Sequence, residues 1–75
     1  MAENKTLGEA RVRTTFNPSN NSLVDQIKQK SAELIDLVST IPDGSEAPKE
    51  AGRLKALAMT GYEEAAMWAV KAATA

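Results

Sequence analysis

The chain has 75 residues, a net charge of −1, and neither cysteine nor histidine. Those absences exclude disulfides, cysteine nucleophiles, the common zinc sites and the usual general base, leaving carboxylates, lysines and hydroxyls for any chemistry. A domain of this size buries only roughly 60% of its unfolded surface, so self-association is expected to add to its stability.

The opening Met1-Ala2-Glu3-Asn4-Lys5 is too polar for a signal peptide. No apolar run is long enough for a bilayer, so a soluble intracellular protein is expected. Residues Thr6 to Arg13 read as a short helix, although Gly8 counts against it. Over the first thirty residues Lys5, Arg11, Arg13, Lys28 and Lys30 outnumber Glu3, Glu9 and Asp25. From 31 to 50 the balance reverses. One positive end suits a small anionic ligand better than a long duplex, with ordinary solvated charge as the plain alternative.

Asn17-Pro18-Ser19-Asn20-Asn21-Ser22 is a turn-forming cluster. After it, Val24, Ile27, Ser31, Leu34, Val38 and Ile41 recur at steps of three and four, which predicts a helix with one apolar stripe. Ser22 is placed to cap it, Asp25 to satisfy a free amide, and Pro42 to stop it. A second breaker, Pro42-Asp43-Gly44-Ser45 with Pro48, leads to another stripe: Ala51, Leu54, Ala58, Gly61, Ala65, Trp68 and Ala72. Pro48 suits that helix's first turn.

The fold class is therefore all-α. An antiparallel hairpin over about 22–41 and 48–73 carries an N-terminal arm or short helix, within a single domain of 1–75 whose arm spans 1–21. Trp68 is expected on the hairpin stripe, covered by the Phe16 arm or by a neighbouring subunit. Leu23, Ile35, Leu37, Leu57, Met59, Met67 and Val70 fall off the stripes, and a symmetric oligomer would cover them.

Catalysis has little to stand on. Glu63 and Glu64 are adjacent, so on a helix they diverge by about 100° and form no acid–base pair. Glu33 and Asp36 share a face but lack a third metal ligand, and Gly44 and Gly61 make no phosphate loop. No enzyme, metal or cofactor is expected. Binding is better supplied. Lys28 and Lys30, with Arg11 and Arg13 on a flexible arm, can close around phosphates, and Phe16 or an arginine plane can stack on a base. Arg53 lies about 13 Å along the hairpin from the level of Lys28 by helical rise, so it belongs to another site or another subunit. For each basic residue alone, a surface role is the alternative.

The pattern of Arg53, Leu57-Ala58, Thr60, Glu63-Glu64-Ala65 and Met67-Trp68-Ala69-Val70-Lys71-Ala72, preceded by Val24 and Ile27-Lys28, resembles the short hairpin-domain proteins of phages known as anti-CBASS sponges, with a related hairpin in anti-Thoeris sponges. The resemblance spans roughly Arg11 to Thr74. It implies a homohexamer in the cytoplasm of the infected host that sequesters cyclic dinucleotides without cleaving them. Cyclic trinucleotides and cyclic ADP-ribose-like signals are further ligands of this kind; membranes and DNA are not partners. It also implies that Lys28 contacts dinucleotide phosphate and that Arg53 serves a separate trinucleotide pocket where three subunits meet. The family's stacking aromatic, fifteen positions before the lysine, is Arg13 here. Either Arg13 stacks, or Phe16 takes the role, or dinucleotide binding is altered. The competing reading is a small helical structural or protein-interaction module with no nucleotide ligand. A DNA-binding repressor is disfavoured by the acidic turn and the lack of a basic recognition helix.

Overall fold

The computed structural model describes residues 5–75, so the polar opening before Lys5 and the first four residues of the arm lie outside the described residues. Three helices follow in chain order: α1, Leu7–Val12; α2, Ser22–Ser39; and α3, Ala51–Ala73. The short N-terminal helix forms because its first turn is closed from both sides. Thr6 Oγ1 accepts the Glu9 N–H at 3.0 Å, and Glu9 Oε1 accepts the Thr6 N–H at 2.9 Å, a reciprocal capping box. Gly8, read from the sequence as a weakness, is what lets α1 dock. A Cβ there would lie 2.0 Å from the Ala32 carbonyl oxygen, so only glycine permits this approach to α2. Its N–H also donates to Asp36 Oδ1 at 2.7 Å.

Asn21, not Ser22, caps α2: its side-chain oxygen accepts the Leu23 N–H at 2.9 Å. Asp25 receives Asn17 Nδ2 at 2.9 Å and so fastens the preceding turn rather than a helix amide. α2 stops at Ser39, short of the expected 41. The residue before Pro42 is disfavoured in helical conformation, and the Ser39 and Thr40 hydroxyls donate to the carbonyls of Asp36 and Leu37 at the fraying end. Pro48 lies outside α3. Its carbonyl accepts the Ala51 N–H at 3.0 Å, closing a tight turn before regular helix begins. The hairpin is antiparallel: Asn21 Nδ2 at the start of α2 donates to the Ala73 carbonyl at the end of α3, at 3.3 Å.

The buried face is rotated from the expected one. On α2 the buried residues are Val24, Lys28, Ala32 and Ile35, while Leu34 and, just past the helix, Ile41 are exposed. Two neighbours lie on α2, since α1 packs there beside α3, and the covered arc is wider than one stripe. On α3 the core residues are Met59 and Ala66, with Tyr62 packed against them, one position along from the predicted Ala58, Gly61 and Ala65. One position is about 100° of rotation. Alanines on several faces leave more than one apolar stripe on α3, and the one with Met59 and Tyr62 is buried while Leu54 and Trp68 of the other stay exposed. Ile35 and Met59, expected off the stripes, form the core with Val12, Ala32 and Ala66.

Trp68 consequently points outward. It is 60% exposed, with the Lys71 ammonium 5.5 Å from its ring, and Phe16 is itself exposed rather than covering it. The Cα envelope measures 44 × 33 × 12 Å, so the helices lie side by side rather than in two full layers. That flatness leaves Leu23, Leu37, Leu57 and Met67 uncovered, as their positions in sequence required. No described helix is long and apolar enough to cross a membrane.

Candidate functional site: a cationic cleft at the α1–α2 turn

α1 ends on Arg13, which adopts the left-handed conformation (φ 58°) and donates its N–H to the Glu9 carbonyl. The chain then folds back, with the Phe16 N–H bonded to the Arg13 carbonyl at 2.9 Å. This reversal turns the carbonyls of Arg13 and Phe16 toward α2. Lys28 meets both of them. Its Nζ donates to the Arg13 carbonyl at 3.1 Å and also to the Phe16 carbonyl, and the residue is only 7% exposed. A buried ammonium must be hydrogen-bonded to be tolerated, and these two acceptors satisfy most of its donors. Burial lowers the Lys28 pKa below its ordinary 10.5; the Arg13 charge lowers it further, and Asp25 opposes both.

The side chains of the same two turn residues stack. Arg13 Cζ lies 4.5 Å from the Phe16 ring centroid, and Lys28 Nζ lies 5.3 Å from it. A cleft of about 280 Å³ opens beside this cluster, lined by Arg11, Arg13, Phe16 and Lys28 and floored by Ala66, Met67 and Val70 of α3. A smaller one of about 220 Å³ also borders Phe16, together with Pro18, Val24 and Thr74. Arg11 is not on a flexible arm. It sits in α1, with Nε on Glu63 Oε1 at 2.7 Å, so Glu63 is part of the cleft wall rather than plain helix surface.

The structure thus brings together Lys28, Arg13, Phe16 and Arg11. Lys30 is apart, exposed beside Glu33, Leu34 and Leu37 in a shallow depression of α2. Arg53 is also apart, exposed at the start of α3 and paired with Glu50 at 2.6 Å. Glu33 and Asp36 are engaged separately, by Gln29 and by the Gly8 amide, and no cluster of potential metal ligands occurs among the described residues. Sequence reading missed Glu63, because nothing in its spacing showed that α1 would bring Arg11 against α3. It also missed the two carbonyls that hold Lys28, which no side-chain pattern encodes.

The molecule is a small all-helical hairpin whose cationic, aromatic-walled cleft is built at the turn joining a short N-terminal helix to the hairpin. Residues 8–74 match the family described as Acb2/Tad1, hairpin domain, and the chain belongs to that family of anti-CBASS and anti-Thoeris sponges. No curated protein and no solved structure gives a significant match.

Proposed function

We propose that this protein is a phage anti-defence sponge, which binds cyclic di- and trinucleotide immune messengers and withholds them from a host effector without cleaving them. Family membership supports that reading at the level of class. The observation that carries it to these residues is the convergence of Lys28, Arg13 and Phe16 on one cleft, which offers positive charge for phosphate and flat surfaces for a base. Arg13 stands where the family's stacking aromatic is expected, and it lies on Phe16, so the two residues share the stacking role. Arg11 supplies further charge at the rim while tied to Glu63.

The cleft volume, about 280 Å³, is just below the roughly 300–1,000 Å³ common for small-molecule pockets. A second subunit of a homohexamer would complete it, and the exposed Leu37, Leu57 and Trp68 offer apolar surface for that assembly. Arg53 and Lys30, remote from the cleft, would serve only at subunit boundaries, Arg53 in a separate trinucleotide pocket. Cyclic ADP-ribose-like signals present the same phosphate and base chemistry, and the cytoplasm of an infected cell is where such messengers would be met.

Native mass spectrometry with mixed cyclic di- and trinucleotides tests this directly, because subunit count and bound mass are read together. The expected result is a hexamer carrying ligand that is recovered intact after denaturation. Hydrolysed ligand would refute sequestration, and no bound nucleotide would refute the function. The same exposed apolar residues favour a second reading, a helical interaction module. It would give an oligomer whose melting temperature is unmoved by any cyclic nucleotide.

A further inference from the structure

Among the described residues lining the larger cleft, Arg11, Arg13 and Lys28 are positive and Glu63 alone is negative. Three cations against one carboxylate leave the cleft with two positive charges in excess. The carboxylate is placed on one of those cations. Arg11 Nε donates to Glu63 Oε1 at 2.7 Å, and Arg11 Nη2 reaches Thr60 Oγ1, nearly one turn earlier on α3, at 3.4 Å. The guanidinium is thus held against α3, while 27% of the Arg11 side chain and 35% of Glu63 remain open to solvent. An ion pair so exposed adds little stability. A carboxylate at the rim nevertheless repels every anion that enters, and the repulsion grows with the charge of that anion.

We propose that Glu63 is a specificity-determining residue, which lets the cleft hold phosphodiester rings and disfavours linear nucleotides of higher charge. This rests on the cyclic-nucleotide reading above and adds what the site turns away. A phosphodiester carries one negative charge per linkage, so a cyclic dinucleotide matches the two excess positive charges of the cleft. A terminal phosphate carries nearly two by itself, and a linear nucleoside triphosphate brings about four together with the same kind of base. Three cations beside an aromatic ring, with no carboxylate, would be a general nucleotide site. Specificity is a difference of affinities, widened by a repulsive group that penalises the competitor more than the ligand. At roughly 8 Å in water, one carboxylate weakens binding about twofold for each ligand charge. The penalty compounds to about fourfold for the ring and to the order of tenfold for the triphosphate.

The test is calorimetric titration of the full-length protein with a cyclic dinucleotide and with a nucleoside triphosphate, at low salt and without divalent cations. Glu63→Gln removes the charge and keeps an acceptor for Arg11 Nε; Glu63→Met removes both and serves if the first variant fails to fold. Triphosphate affinity should rise on the order of tenfold and dinucleotide affinity about fourfold, so the preference for the ring narrows. Glu63→Asp, which retains the charge, should keep the wild-type ratio, and added salt should shrink the difference between wild type and Glu63→Gln. A purely structural tie would lower the melting temperature and leave the ratio of the two affinities as it was. That result, or equal gains for both ligands, would overturn the role of Glu63 while leaving the sponge reading intact. A folded wild-type protein that binds no cyclic dinucleotide would overturn both.

Discussion

The Lys28 ammonium is bonded to the backbone carbonyl of Arg13, fifteen residues earlier, at 3.1 Å. One buried side chain thereby fixes the turn that presents Arg13 and Phe16, and it joins stability to the site. Lys28→Met should leave the Arg13 and Phe16 carbonyls without their donor and destabilise the fold by about 1–3 kcal/mol. Dinucleotide affinity should fall with it. Urea denaturation and calorimetric titration on the same samples measure the two effects.

Lys28 also gives the fold a pH signature. Its pKa is lowered in the folded state, so between that value and 10.5 the unfolded chain binds more protons than the folded one. Stability from this group is fully present above 10.5 and is lost as pH falls through the folded value. Chemical denaturation of wild type and Lys28→Met at rising alkaline pH should therefore show wild type gaining on the variant, the other groups cancelling in the difference.

Gly8→Ala should be costly although alanine is the better helix former. The added methyl would collide with the Ala32 carbonyl and push α1 off α2, at about 1–3 kcal/mol for overpacking. Thermal melting gives the magnitude. Amide hydrogen exchange should place the loosened segment in α1 and the turn after it, and weakened dinucleotide binding should accompany it.

Arg53→Ala and Arg13→Ala should part company. Arg53 is exposed, bonded among the described residues only to Glu50 and away from the cleft, so its loss should leave dinucleotide affinity unchanged and stability within about 0.5 kcal/mol. Arg13→Ala should weaken dinucleotide binding. Titration of both variants with a dinucleotide and a trinucleotide would show whether Arg53 matters for the larger ring alone.

Trp68 is the chain's only tryptophan, and its 60% exposure makes it a reporter of assembly. If the protein self-associates through α3, its fluorescence should shift to the red on dilution as the ring becomes hydrated. Leu57→Glu should produce the same shift at high concentration by placing a charge on that surface, with sedimentation confirming the smaller species.

Composition and periodicity by themselves determined the all-helical class, the position of both breakers and the surplus of apolar residues over what one hairpin can cover. The string ending in Met67-Trp68-Ala69-Val70-Lys71-Ala72 carried the family. Those features are local, encoded by spacings of three and four or by the prolines and glycine of the breakers. Which face is buried was decided by tertiary structure: α3 has apolar residues on more than one face, and the one carrying Met59, Tyr62 and Ala66 packs with Ile35 and Val38, while Leu54 and Trp68 of the other stay exposed. The site depended on packing in the same way. Arg11, Arg13, Phe16 and Lys28 meet because Gly8 lets α1 lie on α2 and because two carbonyls of a turn satisfy a buried ammonium. Lys30 is set apart by the face of α2 it occupies, and Arg53 by its place at the start of α3.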